Sequence, residues 1–386
     1  MRTHRRFGVG IIGAGWLGDV HARAWTRLSH HYPELGLTPD LVAVADPSEA
    51  ARRNAIDRHG FHRAYEDPYE LIADPRVDVV SVTAPNLLHR DLGVAVARSG
   101  KHLWIEKPVG LTADDARAVR DAVADAGVHA VVGFNYRAVP GIVALRELVA
   151  TAQIGRPTHA RIRMLTDYAA HPLAPLSWRY TLAEGGHGVL ADLASHAVDL
   201  IRHVLGGIAS LVAVTGVFVP QRPLAPEGAA HYSLAEAGSP FGEVENEDYV
   251  CALLRTVDGV LVTLECSRVA VGEQNNYGLE IHGSQGLVSW DFRTPGEILR
   301  SVGVGYSNQP VERYLTGPID GDYGRFQPGA GIAMSYDDTK VIELAQLAGA
   351  VLGGPTDGPT LDDAIASAIV LEALVRSAQA KAWIDL

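Results

Sequence analysis

Sulfur is scarce in this chain: 386 residues carry two cysteines, Cys251 and Cys266, and three methionines. A disulfide framework needs more cysteine, so a reduced, cytoplasmic protein is expected. The two cysteines flank a predicted hairpin turn at Asp258-Gly259 and read as small apolar core residues on neighbouring strands. No apolar run reaches the ~20 residues that a membrane span requires. The basic start MRTHRRF is short, and the apolar run after it is broken by glycines, so it is not read as a signal peptide. Basic residues are outnumbered, 33 Lys and Arg against 45 Asp and Glu, for a net charge of −12. Nucleic acids and anionic membranes want a basic surface, so neither is an expected partner. What is present is 47% hydrophobic and 20% charged, the balance of a globular protein. The length exceeds one ordinary core and predicts two domains.

The apolar run Val9–Ile12 leads into Gly13-Ala14-Gly15-Trp16-Leu17-Gly18, and helical spacing follows through Val20, His21, Ala24, Trp25 and Leu28. A GxGxxG between strand and helix is the dinucleotide fingerprint. Gly13 permits the tight turn, Gly15 lets the backbone approach a pyrophosphate, and Gly18 lets helix and strand pack closely. The helix N-terminus offers its unpaired N–H groups to the phosphates. Asp46 ends the next strand, Leu41–Ala45. An acid there accepts hydrogen bonds from the adenosine ribose and repels a 2′-phosphate, favouring NAD over NADP. It lies further past Gly18 than the usual ~20 residues, the excess being a loop-like insert, His30–Asp40. Asp46 or Ser48 could equally cap the helix after Pro47. Strands are predicted at Val77–Val82, Lys101–Ile105 and Val128–Val132, and helices at Leu87–Arg98 and Ala113–Ala126. This alternation predicts a doubly wound parallel sheet. Asp46, Asn86, Lys107 and Asn135 fall just past strand ends, where such sheets bind ligands.

After about Asn135 the pattern changes. Ile142–Thr151 and Val189–Leu205 read as helices, with strands at Thr158–Leu165, Ser210–Val219, Tyr249–Val257, Val260–Cys266, Gly278–His282 and Gly286–Phe292. The expected fold is therefore α/β: a Rossmann domain over residues 1–136, then an α+β domain over 137–386 with a large, mostly antiparallel open sheet. Two stretches, Pro220–Glu247 and about Gly303–Gly331, read as long irregular loops, and helices over Tyr336–Leu352 and Leu361–Ala382 close the chain. Within Val189–Leu205, Asp192 and His196 stand four apart on one face and Asp199 one turn on. Taken alone, His196 reads first as a core histidine satisfied by Asp192 or Asp199. Together with His187 the pair makes too small a cluster for a metal, and none is expected.

These pieces together resemble the glucose–fructose oxidoreductase/inositol dehydrogenase (Gfo/Idh/MocA) family over nearly the whole chain. They are the glycine motif, Thr83-Ala84-Pro85-Asn86-x-x-His89, Glu106-Lys107-Pro108, Gly133-Phe134-Asn135-Tyr136-Arg137 and Asp192-x-x-x-His196. Within the family the chain looks most like sugar 3-dehydrogenases of the levoglucosan dehydrogenase type, on Pro175–Arg179, Asn275-Asn276-Tyr277 and Leu315–Pro318. It departs from them at Thr166-Asp167-Tyr168, at His171 and over Asp320–Pro328. The resemblance implies a cofactor side built from Gly13, Gly15, Trp16, Leu17, Gly18, Asp46, Thr83, Pro85, Asn86, His89, Glu106 and Lys107. It implies Lys107, Asp192 and His196 as the catalytic set, and Asn135 and Tyr136 against cofactor and substrate. Trp178 and Arg179 either pack the domain joint or approach the nicotinamide. Pairing through the open face of the C-terminal sheet, as a homodimer or homotetramer, is also implied.

The implied reaction is hydride transfer between NAD and a secondary hydroxyl, at C3, of a sugar, sugar derivative or cyclitol. Such oxidation needs a base at the hydroxyl with a pKa near the working pH, which histidine supplies. His196 takes that role, Lys107 stabilises developing alkoxide, and Asp192 orients Lys107 or holds a sugar hydroxyl. The geometric expectation is that His196 and Lys107 share one substrate hydroxyl. Two alternatives use the same residues: the same chemistry on a sugar unit of a larger glycoside or aminoglycoside, or an NAD-dependent, redox-neutral glycosidase.

Overall fold

The computed structural model describes residues 5–224, 234–235, 238–355 and 357–386. Its contacts divide the chain into two units, residues 1–138 with 334–366, and residues 139–333 with 367–386. The first begins with β1 (Arg5–Ile12), α1 (Trp16–His31), β2 (Leu37–Ala45), α2 (Glu49–His59), β3 (Arg63–Tyr65) and α3 (Pro68–Ala73). It continues with β4 (Val79–Val82), α4 (Asn86–Arg98), β5 (His102–Ile105), α5 (Ala113–Ala126) and β6 (Ala130–Val132). The six strands pair in parallel in the order β3-β2-β1-β4-β5-β6. Central strands β1 and β4 are buried along almost their whole length, as helices on both faces of a parallel sheet require. Helix starts follow local chemistry: Ser48 caps α2, and Thr112 with Asp115 forms a capping box on α5.

The predicted loop His30–Asp40 is largely structured. α1 runs to His31, one 3₁₀ turn covers Pro33–Leu35, and β2 starts at Leu37. Pro39 suggested a loop, yet it pairs with Phe7 on one side only, because β3 joins β2 from Ala43 onward. A proline lacking a second neighbour strand forfeits no ladder bond there.

The second unit holds α6 (Pro140–Ala150), β7 (Pro157–Leu165), a one-turn helix α7 (Leu182–Gly185), α8 (Ser195–Leu205) and β8 (Ile208–Gly216). Next come β9 (Gln221–Pro223), β10 (Phe241–Glu243), β11 (Tyr249–Thr256), β12 (Leu261–Ser267), β13 (Asn276–Gly283), β14 (Leu287–Asp291), β15 (Glu297–Ser301) and β16 (Glu312–Leu315). The chain ends with α9 (Tyr336–Val351), α10 (Leu361–Ala380) and β17 (Ile384–Asp385). The large sheet runs β16-β15-β14-β13-β7-β12-β11-β8-β17, antiparallel except between β7 and β12. Strands β11 and β12 alternate buried and open residues, so one face packs on a core and the other stays open. Val214, Leu253, Leu261 and Leu299 are exposed on that open face. Cys251 pairs with Glu265 and Cys266 with Val250, so the two thiols point to opposite faces and both are free.

β15 lies just before, and β16 within, the stretches left unassigned or read as irregular from sequence. Both are short, β16 being the sheet edge and β15 its neighbour, and such strands lean on pairing rather than on a burial pattern. Residues 225–233 and 236–237 of the predicted Pro220–Glu247 loop lie outside the described residues, while β9 and β10 pair on either side of them. The larger difference concerns α9. The sequence boundary at 136/137 puts it in the C-terminal domain, but it belongs to the first unit, where it packs on α1, β5 and β6. An apolar helix buried on most sides carries no marker of which core it joins. Among the described residues no helix is long and apolar enough to cross a membrane.

Candidate active site

In the first unit the residues after β1, β2, β4, β5 and β6 all emerge at the carboxyl edge of the parallel sheet, by strand direction alone. Gly13 has φ +95°, and a Cβ there would press on the Thr83 carbonyl carbon; a Cβ on Gly18 would lie 2.1 Å from the Gly13 oxygen. Neither contact can be relieved by a side-chain shift, so both positions need glycine. Gly15, the N-cap of α1, has no side-chain cap and open space where a Cβ would be. That leaves helix N–H groups facing a cradle of the kind that holds a pyrophosphate. The Thr83 hydroxyl donates to the Gly13 oxygen at 2.7 Å and fastens the turn to β4. Asp46 accepts from the Ala14 N–H with one oxygen and the Ser48 N–H with the other, both at 2.8 Å. Each oxygen keeps a further lone pair, so the acid is oriented by the turn it would serve. Of the two capping candidates it is Ser48 that caps α2, and Asp46 braces the turn before it. Trp16 is exposed, and its ring lies 5.6 Å from that of Tyr336, which in turn meets Tyr136 edge-on at 6.4 Å. Tyr336 arrives from the far end of the chain, where the sequence pattern marks only the start of a helix.

Two expected cofactor residues are turned inward. His89 is buried between the Ala84 and Pro108 carbonyl oxygens, 2.7 Å from each. It ties the Thr83–Asn86 turn to the Lys107-Pro108 turn. Burial lowers its basicity. Glu106 is also buried and accepts from His21 Nε2 at 2.9 Å and from Lys340 Nζ. It sits in a core cluster, because α9 brings an ammonium group to it. Lys340 also donates to Glu343 at 3.2 Å, and Trp104 Nε1 donates to the same Glu343 oxygen at 2.6 Å. His21 stacks on Trp104 at 3.6 Å. Burial lowers His21 to about 4, so its neutral ring donates to Glu106. Burial raises the Glu106 carboxyl, but Lys340 and His21 outweigh that and hold it well below the usual range. Burial, with Glu106 adding repulsion, pushes Glu343 up to about 7 against the pull of Lys340. Lys107 follows Glu106 directly, half-buried at the end of β5, and its bond to Pro108 is cis. Asn135 is buried and donates to the Thr339 hydroxyl at 2.8 Å.

In the second unit the helix over 189–205 opens with a five-residue π turn, Leu190–Ala194, that runs into α8. Asp192 therefore sits in the wide turn and His196 in the α-helix, where a continuous α register was expected. Ser195 back-bonds to the Ala191 carbonyl at 2.8 Å at the junction. π turns recur at functional sites. His196 is 8% exposed and Asp199 2%. Tyr168 donates to Asp192 Oδ2 at 2.6 Å. The start of this helix is clamped by Asn246-Glu247-Asp248. Glu247 accepts the Leu190 N–H at 3.0 Å, and Asn246 Nδ2 donates to the Arg179 and Gly186 carbonyls. Arg268 donates to Asp248 at 2.9 Å and to Asn246 Oδ1 at 2.9 Å. His187 lies 3.6 Å from Glu247, a supporting position. Arg179 stacks over Trp178 at 4.2 Å. Glu247 escaped sequence reasoning because it reads as the acidic end of a loop. Tyr168 stood out only as a departure from the family pattern. Among the described residues no cluster of three or more His, Cys, Asp or Glu could hold a metal.

The strand order, the glycine turn and Asp46 define the first unit as the nucleotide-binding domain of an NAD-dependent oxidoreductase. Residues 7–134 match the oxidoreductase family with NAD-binding Rossmann fold, and residues 142–289 match the GFO/IDH/MocA C-terminal domain; the chain belongs to this family. It is 30% identical to a levoglucosan dehydrogenase from Pseudarthrobacter phenanthrenivorans, covering 98% of this chain and 97% of that protein. It is 27% identical to an inositol 2-dehydrogenase from Rhizobium meliloti, covering 98% of each. A solved levoglucosan dehydrogenase in complex with NADH and levoglucosan superposes with a TM-score of 0.90 at 28% identity, covering 99% of both chains.

Proposed function

We propose that the protein is a dehydrogenase that oxidises a secondary hydroxyl, at C3, of a sugar, sugar derivative or cyclitol. The observation that carries this reading is Asp192 and His196 on a largely apolar, π-opened helix in a chain whose other unit binds NAD. The named activities of its relatives, on an anhydrosugar and on inositol, support it. NAD, when bound, would supply the hydride acceptor. Asp46 and the N-terminus of α1 hold the dinucleotide, with Thr83, Pro85 and Asn86 alongside. His196 takes the hydroxyl proton as general base and returns it in reduction. Lys107 places positive charge beside the oxygen as alkoxide develops. Asp192 accepts a hydrogen bond from a substrate hydroxyl, and Asn135, Tyr136, Trp178 and Arg179 contact nicotinamide or substrate. The protein works as a homodimer or homotetramer joined across the open sheet face, which solution mass by light scattering checks.

Purified protein with NAD and a panel of neutral anhydrosugars, aldoses and inositols is expected to form NADH with at least one, and Lys107→Ala to abolish it. Full activity in that variant would overturn the reading. Asp46→Ala removes charge-assisted bonds worth about 1.5–3 kcal/mol. It is expected to raise KM for NAD by roughly 10- to 100-fold and to admit NADP. A variant as selective for NAD as the parent would show that Asp46 only braces the turn between Ala14 and Ser48.

A further inference from the structure

Tyr168 lies in the loop after β7 (Pro157–Leu165). The loop is fixed on both sides: Thr166 N–H donates to the Ser267 carbonyl at 2.9 Å, Ala270 N–H to the Thr166 carbonyl at 3.0 Å, and Ala169 N–H to the Arg268 carbonyl at 3.0 Å. Its ring packs against the buried cluster of Ala169, Tyr180 and Val244. That packing aims the hydroxyl at Asp192, 2.6 Å away. The charged and titratable groups around the phenol are Asp192, Arg268 and Tyr180. Arg268 is spent on Asp248 and Asn246, which leaves the phenol as a donor to Asp192 from a fixed wall.

We propose that Tyr168 is a positioning residue for the dehydrogenase reaction, acting through Asp192: its hydroxyl fixes the rotamer and ionised form of that carboxylate, and so the placement of the substrate hydroxyl that Asp192 accepts from. A phenol kept protonated by burial and by the neighbouring carboxylate donates at any working pH. A charge-assisted O–H···O⁻ bond of this length is among the stronger side-chain contacts. The proposal rests on the role given to Asp192 above.

The test is a double-mutant cycle on the full-length protein, using Tyr168→Phe, Asp192→Asn and the pair, with the substrate found in the sugar panel. Phenylalanine keeps the ring packing and removes only the donor. Tyr168→Phe is expected to lower kcat/KM for the sugar about tenfold with KM for NAD unchanged. It should also move the acidic limb of the kcat/KM–pH profile upward, since Asp192 loses a donor to its charged form. In the Asp192→Asn background the same change should cost nothing further. Additive losses, or a Tyr168→Phe enzyme with unchanged kcat/KM and pH profile, would overturn the proposal and leave the catalytic set intact. Wild-type kinetics in Asp192→Asn would instead overturn the catalytic set and the proposal together. Melting curves for all four proteins separate loss of fold, which would move every parameter at once, from the sugar-specific loss expected.

Discussion

Replacing His196 with alanine is expected to lower kcat by about 10²–10⁴-fold, the range that a positioned general base contributes. KM for NAD should not change, because the cradle proposed for the dinucleotide, Gly13, Gly15, Gly18 and Asp46, belongs to the other unit of the chain. His196 is nearly buried, so truncation also costs packing. A parallel His196→Asn enzyme and unfolding curves for both variants separate packing from chemistry. The limb of the kcat/KM–pH profile set by the general base should vanish in both. Retention of that limb, with kcat within a fewfold of the parent, would assign the proton to another group and return His196 to the core.

Lys340→Met is expected to be the most destabilising single change. Lys340 is fully buried between Glu106 and Glu343, and removing one partner of a buried pair costs about 3–5 kcal/mol because the remaining charge has nowhere to go. The denaturant midpoint of the first unit reads this directly. Replacing Glu106, Lys340 and Glu343 together by apolar residues of similar volume should recover most of the loss. The cluster also predicts a pH effect with a definite sign. Folded His21, at about 4 instead of 6.5, sheds a proton that the unfolded chain holds, so stability rises with pH across that interval. Folded Glu343, at about 7 instead of 4.5, holds a proton that the unfolded chain has lost, so its contribution falls with rising pH. The two oppose each other over about pH 4.5–6.5. Glu343→Gln removes the second, so its midpoint should climb more steeply over that range than the parent's. An unchanged slope would mean that Glu343 is ionised in the fold.

The parallel sheet and its ligand edge were readable because they rest on local signals: a glycine triplet, β-branched runs, and residues such as Asp46 and Asn86 just past strand ends. The catalytic candidates were readable as residue types, Lys107 after a strand and Asp192 with His196 on a helix, and their roles came from family likeness. What escaped depends on distant partners. The core cluster around Glu106 forms only because α9 supplies Lys340. Asp192 and His196 looked like an i, i+4 pair until the π turn intervened, which no spacing rule announces. Tyr168 and Glu247 were each visible as residues, but only long-range packing sets them against the same helix.

The Glu106–Lys340 bond joins residues 234 positions apart, with the entire middle of the second unit between them. On a ribosome adding ~5–20 residues per second, Glu106 emerges roughly 10–50 s before the ammonium group that lets it be buried. The nascent Rossmann segment must therefore wait with an acid, and the α1 and β5 surfaces that α9 will cover, still in water. A chaperone that shields apolar surface would find its binding window during that wait, and a truncation before Tyr336 would extend it indefinitely.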